Sequence, residues 1–229
     1  MIKKLFIYFL SLLSFCLLSG CQLNDDVTTQ LFKPTTKDDF SEIGNKNYQD
    51  EIIRHNRPNF SLEDLSLKNG TWQNFSSLDS LNRVGEANAM LNRSMMPTEE
   101  RERLYIKPTG WKQKKMKNGD YLYNRCHLIG YQLTGENNNP RNLMTGTRSF
   151  NIPAMVEYEN KVAEYLRKTG NHVRYRVRPD FQGNELVARG VQIEAQSIED
   201  NGISFNVYIH NTQEGYVIDY QTGNSKIQN

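Results

Sequence analysis

Asn124-Arg125-Cys126-His127-Leu128-Ile129-Gly130-Tyr131 is the most informative run in this chain. It sits in an aromatic stretch behind the Asn118-Gly119 turn signal, and Tyr121 to Tyr131 reads as a strand. A polar loop follows, Thr134 to Asn142, with four asparagines and a proline. Gly146-Thr147-Arg148-Ser149-Phe150-Asn151 then leads into the clearest helix of the chain, Asn151 to Thr169. Val156, Val162, Ala163 and Leu166 recur there at helical spacing, Pro153 falls in a permissive first turn, and Gly170 closes it. The unit is strand, loop, helix. It gathers His127, one of four histidines, with Arg125, Arg148, Asn142, Asn151 and Glu159.

Downstream, the apolar period changes to two. Val173, Tyr175 and Val177 alternate with Arg174, Arg176 and Arg178, Leu186 to Ala195 is a further strand, and Ile203 to His210 alternates again. Asn201-Gly202 is a hairpin signal between the last two, and Tyr216 to Tyr220 is a short final strand. Upstream, Trp72 to Leu91 has strand-like apolar positions (Val84, Ala87, Ala89, Leu91), Pro97 with Glu99 and Glu100 resembles a helix start, and Lys107-Pro108-Thr109-Gly110 is a turn. The fold class expected is α+β: an antiparallel β-sheet with packed helices.

The amino terminus is set apart. Lys3 and Lys4 precede an apolar run from Leu5 to Leu18, shorter than the roughly 20 residues of a spanning helix. Leu18-Ser19-Gly20-Cys21 follows at once. Residues 1–20 are therefore expected to be an export signal, with Cys21 the site of lipidation after cleavage. Residues 21–49, rich in Asp, Asn, Thr and Lys, read as a flexible tether, and the folded domain is expected over 50–229. Of Cys16, Cys21 and Cys126, only Cys126 would keep a free thiol, so no intramolecular disulfide is expected. The expected location is the outer face of the cell membrane, lipid-anchored, or secreted.

Composition bounds the chemistry. In 229 residues, 37% hydrophobic and 10% aromatic side chains provide for a core and exclude a disordered chain. Without Lys3 and Lys4 the 28 Lys and Arg fall to balance the 26 Asp and Glu, which excludes a strongly basic polyanion-binding protein. The charges are unevenly spread. Lys107 to Arg125 holds six bases and one acid, and Arg141 to Arg178 holds eight bases and three acids. Such stretches suit a phosphate-facing groove or solvated faces.

The residue types around His127 suit phosphodiester hydrolysis. An imidazole that titrates near neutrality can take a proton from water. A hard, hydrated Mg2+ keeps most of its waters and needs few protein oxygens, so one asparagine amide can anchor it. Arginine offers a planar fork to phosphate.

On these residues the chain resembles the DNA/RNA non-specific endonucleases, whose hallmark is Asp-Arg-Gly-His on a ββα-metal finger. It is most similar to their streptococcal and lactic-acid-bacterial secreted and DNA-entry branch. The likeness runs from about Leu78 to Tyr220 and includes Met96-Pro97-Thr98-Glu99 and Lys107-Pro108-Thr109-Gly110-Trp111. It implies a ββα-metal finger and a sequence-non-specific endonuclease over 50–229, acting on DNA and also on RNA, with Mg2+ as cofactor and Mn2+ as a substitute. It makes His127 the general base, Arg125 a phosphate or transition-state contact and Asn151 the metal ligand. Glu159 would hold metal-bound water, Asn142 would orient the metal or histidine side, and Arg148 would contact phosphate. Asn151 and Glu159 would stand about 80° apart and about 12 Å along a regular helix, so Asn151 is expected to precede the helix.

Two positions depart from the hallmark: Asn124 stands for its aspartate and Cys126 for its glycine. An amide still hydrogen-bonds but removes a charge near Arg125 and His127. Cys126 is expected to be a packed small residue, and His55, His172 and His210 surface or core histidines. The Arg174, Arg176, Arg178 row would line the DNA groove or be solvated. The alternative function is a non-catalytic DNA-binding surface lipoprotein, its site lapsed through Asn124 and Cys126.

Overall fold

The computed structural model describes residues 49–228, all within one compact unit, Gly44–Asn229. Residues 1–48, with the expected signal and Cys21, lie outside the described part. Among the described residues no helix is long and apolar enough to cross a membrane.

The frame is a six-stranded antiparallel sheet. Its strands are β1 (Asp50–Ile52), β2 (Trp72–Phe75), β3 (Ala87–Leu91), β6 (Val173–Asp180), β7 (Gly190–Ser197) and β8 (Ser204–His210), in the order β1-β8-β7-β6-β3-β2. A separate hairpin pairs β4 (Tyr123–His127) with β5 (Leu143–Thr147), Arg125 opposite Thr145 and His127 opposite Leu143. A short helix, α1 (Tyr131–Thr134), follows β4, and the main helix, α2 (Val156–Thr169), follows β5. A small hairpin of β9 (Tyr216–Ile218) and β10 (Ser225–Ile227) completes the chain. The first half of that hairpin is legible in sequence; β10, only three residues long, is not.

The period-two alternation has the physical result it should. Val173, Tyr175 and Val177 face the core beside Ile193, Ala195, Phe205 and Val207. Onto that face α2 packs Tyr158, Val162, Ala163 and Leu166. The helix carries Glu157 and Glu159 in its first turn and Arg167 and Lys168 in its last, each at the favourable end of the dipole, and stops at Gly170 with φ 72°. Hairpin β4–β5 is held by the same core through Cys126, Met144 and Phe150.

Several sequence expectations are corrected. Regular helix starts at Val156, not Asn151: Phe150–Met155 is an irregular turn in which Ile152 is extended (φ −133°, ψ 116°), as a residue before proline prefers. Pro97, Glu99 and Glu100 start no helix; the chain runs on without regular structure towards Trp111, its backbone tied to side chains of the central unit. Tyr131 has no strand role and begins α1. The strand expected from Leu186 begins only at Gly190.

Two of the three arginines in the row, Arg174 and Arg176, are neither in a groove nor solvated, while Arg178 is partly exposed. Arg174 and Arg176 are buried on the sheet face opposite α2, beneath the segment that joins β1 to β2. Arg176 Nη2 bonds Glu194 Oε2 at 2.7 Å and the Asn59 carbonyl at 2.7 Å. Arg174 Nη2 reaches Asn88 Oδ1 at 2.6 Å and Asp64 at 3.4 Å, its guanidinium stacked between Phe60 and Trp72, 4.9 Å from each ring centroid. Arg178 pairs with Glu86 and with Glu194, the latter at 2.9 Å. The alternation puts these side chains opposite the apolar core; a second layer of chain then covers Arg174 and Arg176.

Candidate active site

Strand β4 ends at His127, and the loop beyond α1 fixes the ring. The imidazole Nε2 lies 2.8 Å from the main-chain carbonyl oxygen of Asn137. A carbonyl only accepts, so Nε2 carries the hydrogen and Nδ1 is the basic nitrogen. Nδ1 in turn faces Arg101 Nη2 at 3.4 Å. The residue is 6% exposed. Burial holds its pKa down to about 4, the Asn137 bond opposes that shift, and the Arg101 charge adds to it. His127 is thus neutral and proton-accepting at pH 7.

The loop that supplies the Asn137 carbonyl is itself tied down. Asn137 Nδ2 donates to Glu102 O at 3.0 Å, Asn138 Nδ2 to Arg103 O at 3.2 Å, and Tyr131 Oη to Glu99 O at 3.0 Å. These bonds hold the irregular segment after Pro97 across the unit and set Arg101 against the imidazole.

His127 lines an open cavity of about 210 Å³ together with Arg101, Arg125, Gly130, Asn151 and Glu159. Arg125 projects from β4, its Nε bonded to the Ile106 carbonyl and its guanidinium 4.6 Å from the Trp111 ring centroid. Asn151 sits in the irregular turn ahead of α2, and Glu159 on the first turn of α2. Glu159 is 7% exposed, and burial raises its carboxyl to about 7, with Gln132 and Arg101 opposing. Its carboxylate lies so close above Gly130 that a Cβ there would collide with both carboxylate oxygens. Only glycine admits Glu159 at that spot.

Asn142 does not reach the cavity. It is fully buried, Oδ1 accepting from Ile129 N at 2.9 Å and Nδ2 donating to Ile129 O at 3.0 Å, while its own carbonyl takes Leu128 N at 2.9 Å. It clamps the residues immediately after His127. Asn124 and Arg148 line an adjoining cavity of about 370 Å³ that shares Arg101, Arg125, Asn151 and Ile152 with the first. The Asn124 Nδ2 is buried without a hydrogen-bond partner. Cys126 is buried in β4, and burial drives its thiol well above the usual range. Its Sγ occupies the space a Cβ on Gly146 would need, so the pair is a packing fit. His172 and His210 pair with Glu199 and Glu51, each at 2.6 Å.

Arg101, Asn137 and Gly130 escape sequence reasoning. Asn137 acts through its backbone carbonyl, which no residue type reports. Arg101 arrives by tertiary contact from a segment that reads as a helix start. Gly130 carries one signal: a glycine directly after the apolar pair Leu128-Ile129.

Among the described residues no group of three or more His, Cys, Asp or Glu could hold a metal. The oxygen-bearing side chains lining the cavity are Tyr131, Gln132, Asn151 and Glu159, with Glu159 the one carboxylate among them, a set that suits a hard cation keeping most of its waters and not a thiolate metal.

An α+β frame with a histidine at the end of a hairpin strand and a helix that brings Glu159 to the same cavity is consistent with a ββα-metal nuclease architecture. The model of the DNA/RNA non-specific endonuclease family matches residues 65–199, and the chain belongs to that family. The crystal structure of NucA from Streptococcus agalactiae with a magnesium ion bound superposes with a TM-score of 0.69 at 29% identity, over 82% of this chain and 93% of that one. The Sda1 nuclease with a bound zinc ion gives 0.59 at 28% identity, over 69% and 80%. A deoxyribonuclease from Streptococcus dysgalactiae subsp. equisimilis is 33% identical over 115 residues, 48% of this chain; the chain spans 35% of the length of that relative.

Proposed function

We propose that the chain is a sequence-non-specific endonuclease that hydrolyses phosphodiester bonds of DNA, and of RNA, with a divalent metal, Mg2+ foremost. The observation that carries this reading is the fixed tautomer of His127, with Nδ1 left as proton acceptor in a cavity that also holds two arginines, Asn151 and Glu159.

In this reading His127 Nδ1 takes a proton from the attacking water. The ring is neutral at pH 7, so it is ready to accept. Its low pKa makes it a weak base in the free protein. An anionic phosphate drawn in against Arg101 offsets the cation beside Nδ1 and raises the basicity when substrate is present. Arg125, its Nε already committed to Ile106, presents its remaining N–H groups to a phosphate oxygen. Asn151 would hold the metal directly and Glu159 through water. The metal supplies charge stabilisation for the oxygen that leaves phosphorus. Contacts through arginine and metal go to backbone phosphate and not to base edges, which accounts for action without sequence preference. The magnesium bound to NucA and the family match support the metal and the substrate class.

Lipid attachment at Cys21 belongs to the same proposal and rests on Leu18-Ser19-Gly20-Cys21. It would place the chemistry on the outer face of a membrane. Mass spectrometry of the mature N-terminus tests it; an unlipidated start at another residue overturns it. The nuclease reading itself is tested by plasmid incubation with Mg2+, with Mn2+ and with EDTA. Metal-dependent nicking supports it; no cleavage with either metal, alongside retained DNA affinity, would leave a non-catalytic DNA-binding protein.

A further inference from the structure

The cavity beside the His127 site adds aromatic and apolar surface to a cluster of arginines. It combines Arg101, Arg125 and Arg148 with Trp111, Tyr121 and Ile152. Tyr121 is 52% exposed and Ile152 44%, although burying them would have favoured folding. Tyr121 is fixed on a tight hairpin, bridged to Lys115, with Leu122 N bonded to Lys114 O at 2.9 Å and Met116 N to Asp120 O at 2.8 Å. Lys115 Nζ lies 5.8 Å from its ring centroid. The Arg125 guanidinium lies closer to the Trp111 ring, at 4.6 Å, than Lys115 does to Tyr121, and Tyr123 is buried, so Tyr121 is the exposed aromatic of this lining. At about 370 Å³ the space is of the size that takes one nucleotide-sized group.

We infer that this cavity is a subsite for an unpaired nucleotide adjoining the scissile phosphate, its base stacked on Tyr121 and its phosphate held by Arg148. The inference rests on the nuclease reading. The cavity shares Arg101, Arg125 and Asn151 with the His127 cavity, so a strand crossing the site continues into it. A base inside a duplex offers its faces to its neighbours in the stack; a protein ring reaches one only when it is unpaired. Stacking is indifferent to base identity, since every base has a π-face. The subsite therefore gives a preference for single-stranded segments without a preference for sequence.

The test is made on His127→Ala protein, so that cleavage does not enter. Affinities for a fluorescent single-stranded oligonucleotide and for its duplex are measured by anisotropy at one fixed salt concentration, with and without Tyr121→Ala or Tyr121→Phe. The single strand is expected to bind more tightly than the duplex. Tyr121→Ala should lower the ratio of single-strand to duplex affinity about tenfold, the range of one lost base stack, and Tyr121→Phe should keep it. An unchanged ratio in Tyr121→Ala, or no preference for the single strand in the parent, overturns the subsite whatever a cleavage assay shows. Failure of wild-type protein to cut any nucleic acid would overturn the nuclease reading and leave this measurement standing.

Discussion

His127 Nε2 lies 2.8 Å from the carbonyl oxygen of Asn137, ten residues further along the chain. That one bond selects the tautomer and leaves Nδ1 as the proton-accepting nitrogen. It also links the imidazole to the asparagine-rich loop, which in turn holds the segment carrying Arg101. The site is a set of backbone and side-chain ties converging on one ring.

His127 imposes a pH dependence on stability. Its folded pKa, about 4, is below the ordinary 6.5 because burial disfavours the imidazolium. The unfolded chain binds the proton more tightly, so the contribution is full above about pH 6.5 and is lost as pH falls towards 4. Between pH 7 and 4.5 wild type should lose about 2–3 kcal/mol more than His127→Ala, read from urea unfolding at the two pH values. Parallel losses would contradict the buried neutral ring.

Glu159 has the opposite sign. Burial raises its carboxyl to about 7, so the protonated form is favoured by folding, fully below about pH 4.5, and that contribution disappears as pH rises through 7. In EDTA, Glu159→Gln should melt above wild type at pH 8.5 and level with it at pH 4.5. Added Mg2+ should raise the wild-type melting temperature at pH 8.5 and leave Asn151→Ala almost unmoved. Equal Mg2+ shifts in the two would remove Asn151 as the ligand.

Asn142 supports the site from behind. Asn142→Ala leaves the Ile129 N–H and C=O buried without partners, a cost of about 2–4 kcal/mol. Because those atoms lie just after His127, activity of the folded fraction should also fall, with kcat affected before KM. Full stability in Asn142→Ala would show that the clamp is dispensable.

The network behind the sheet should be intolerant of half-removal. Glu194→Ala strands the buried Arg176 beside Arg174 and should cost about 3–5 kcal/mol in chemical denaturation. The double change Arg176→Met with Glu194→Leu should recover much of that loss, since the buried guanidinium and carboxylate leave together. A mild effect of Glu194→Ala alone would contradict the burial of this face.

Much of this is legible in the residues. The period-two runs at Val173–Val177 and Ile203–Ile209 and the helical spacing from Val156 to Leu166 each have one apolar face turned to the core, so the pattern survives tertiary packing. The pre-helical place of Asn151 comes from helix geometry. The Arg174, Arg176, Arg178 row does not read correctly, because alternation says which face a side chain takes and not whether more chain will cover it. Phe60 and Trp72, which cover it, lie about a hundred residues away in sequence. Arg101 and the Asn137 carbonyl are invisible for a related reason: one arrives by tertiary contact and the other acts without its side chain.

The role of His127 as the base is open to one decisive comparison. Supercoiled plasmid is incubated with Mg2+ and either wild type or His127→Ala, with melting curves and DNA affinity showing that the variant is folded and still binds. The cleavage rate should fall about 10²–10⁴-fold with DNA affinity retained. Cleavage by His127→Ala at the wild-type rate would contradict the assignment.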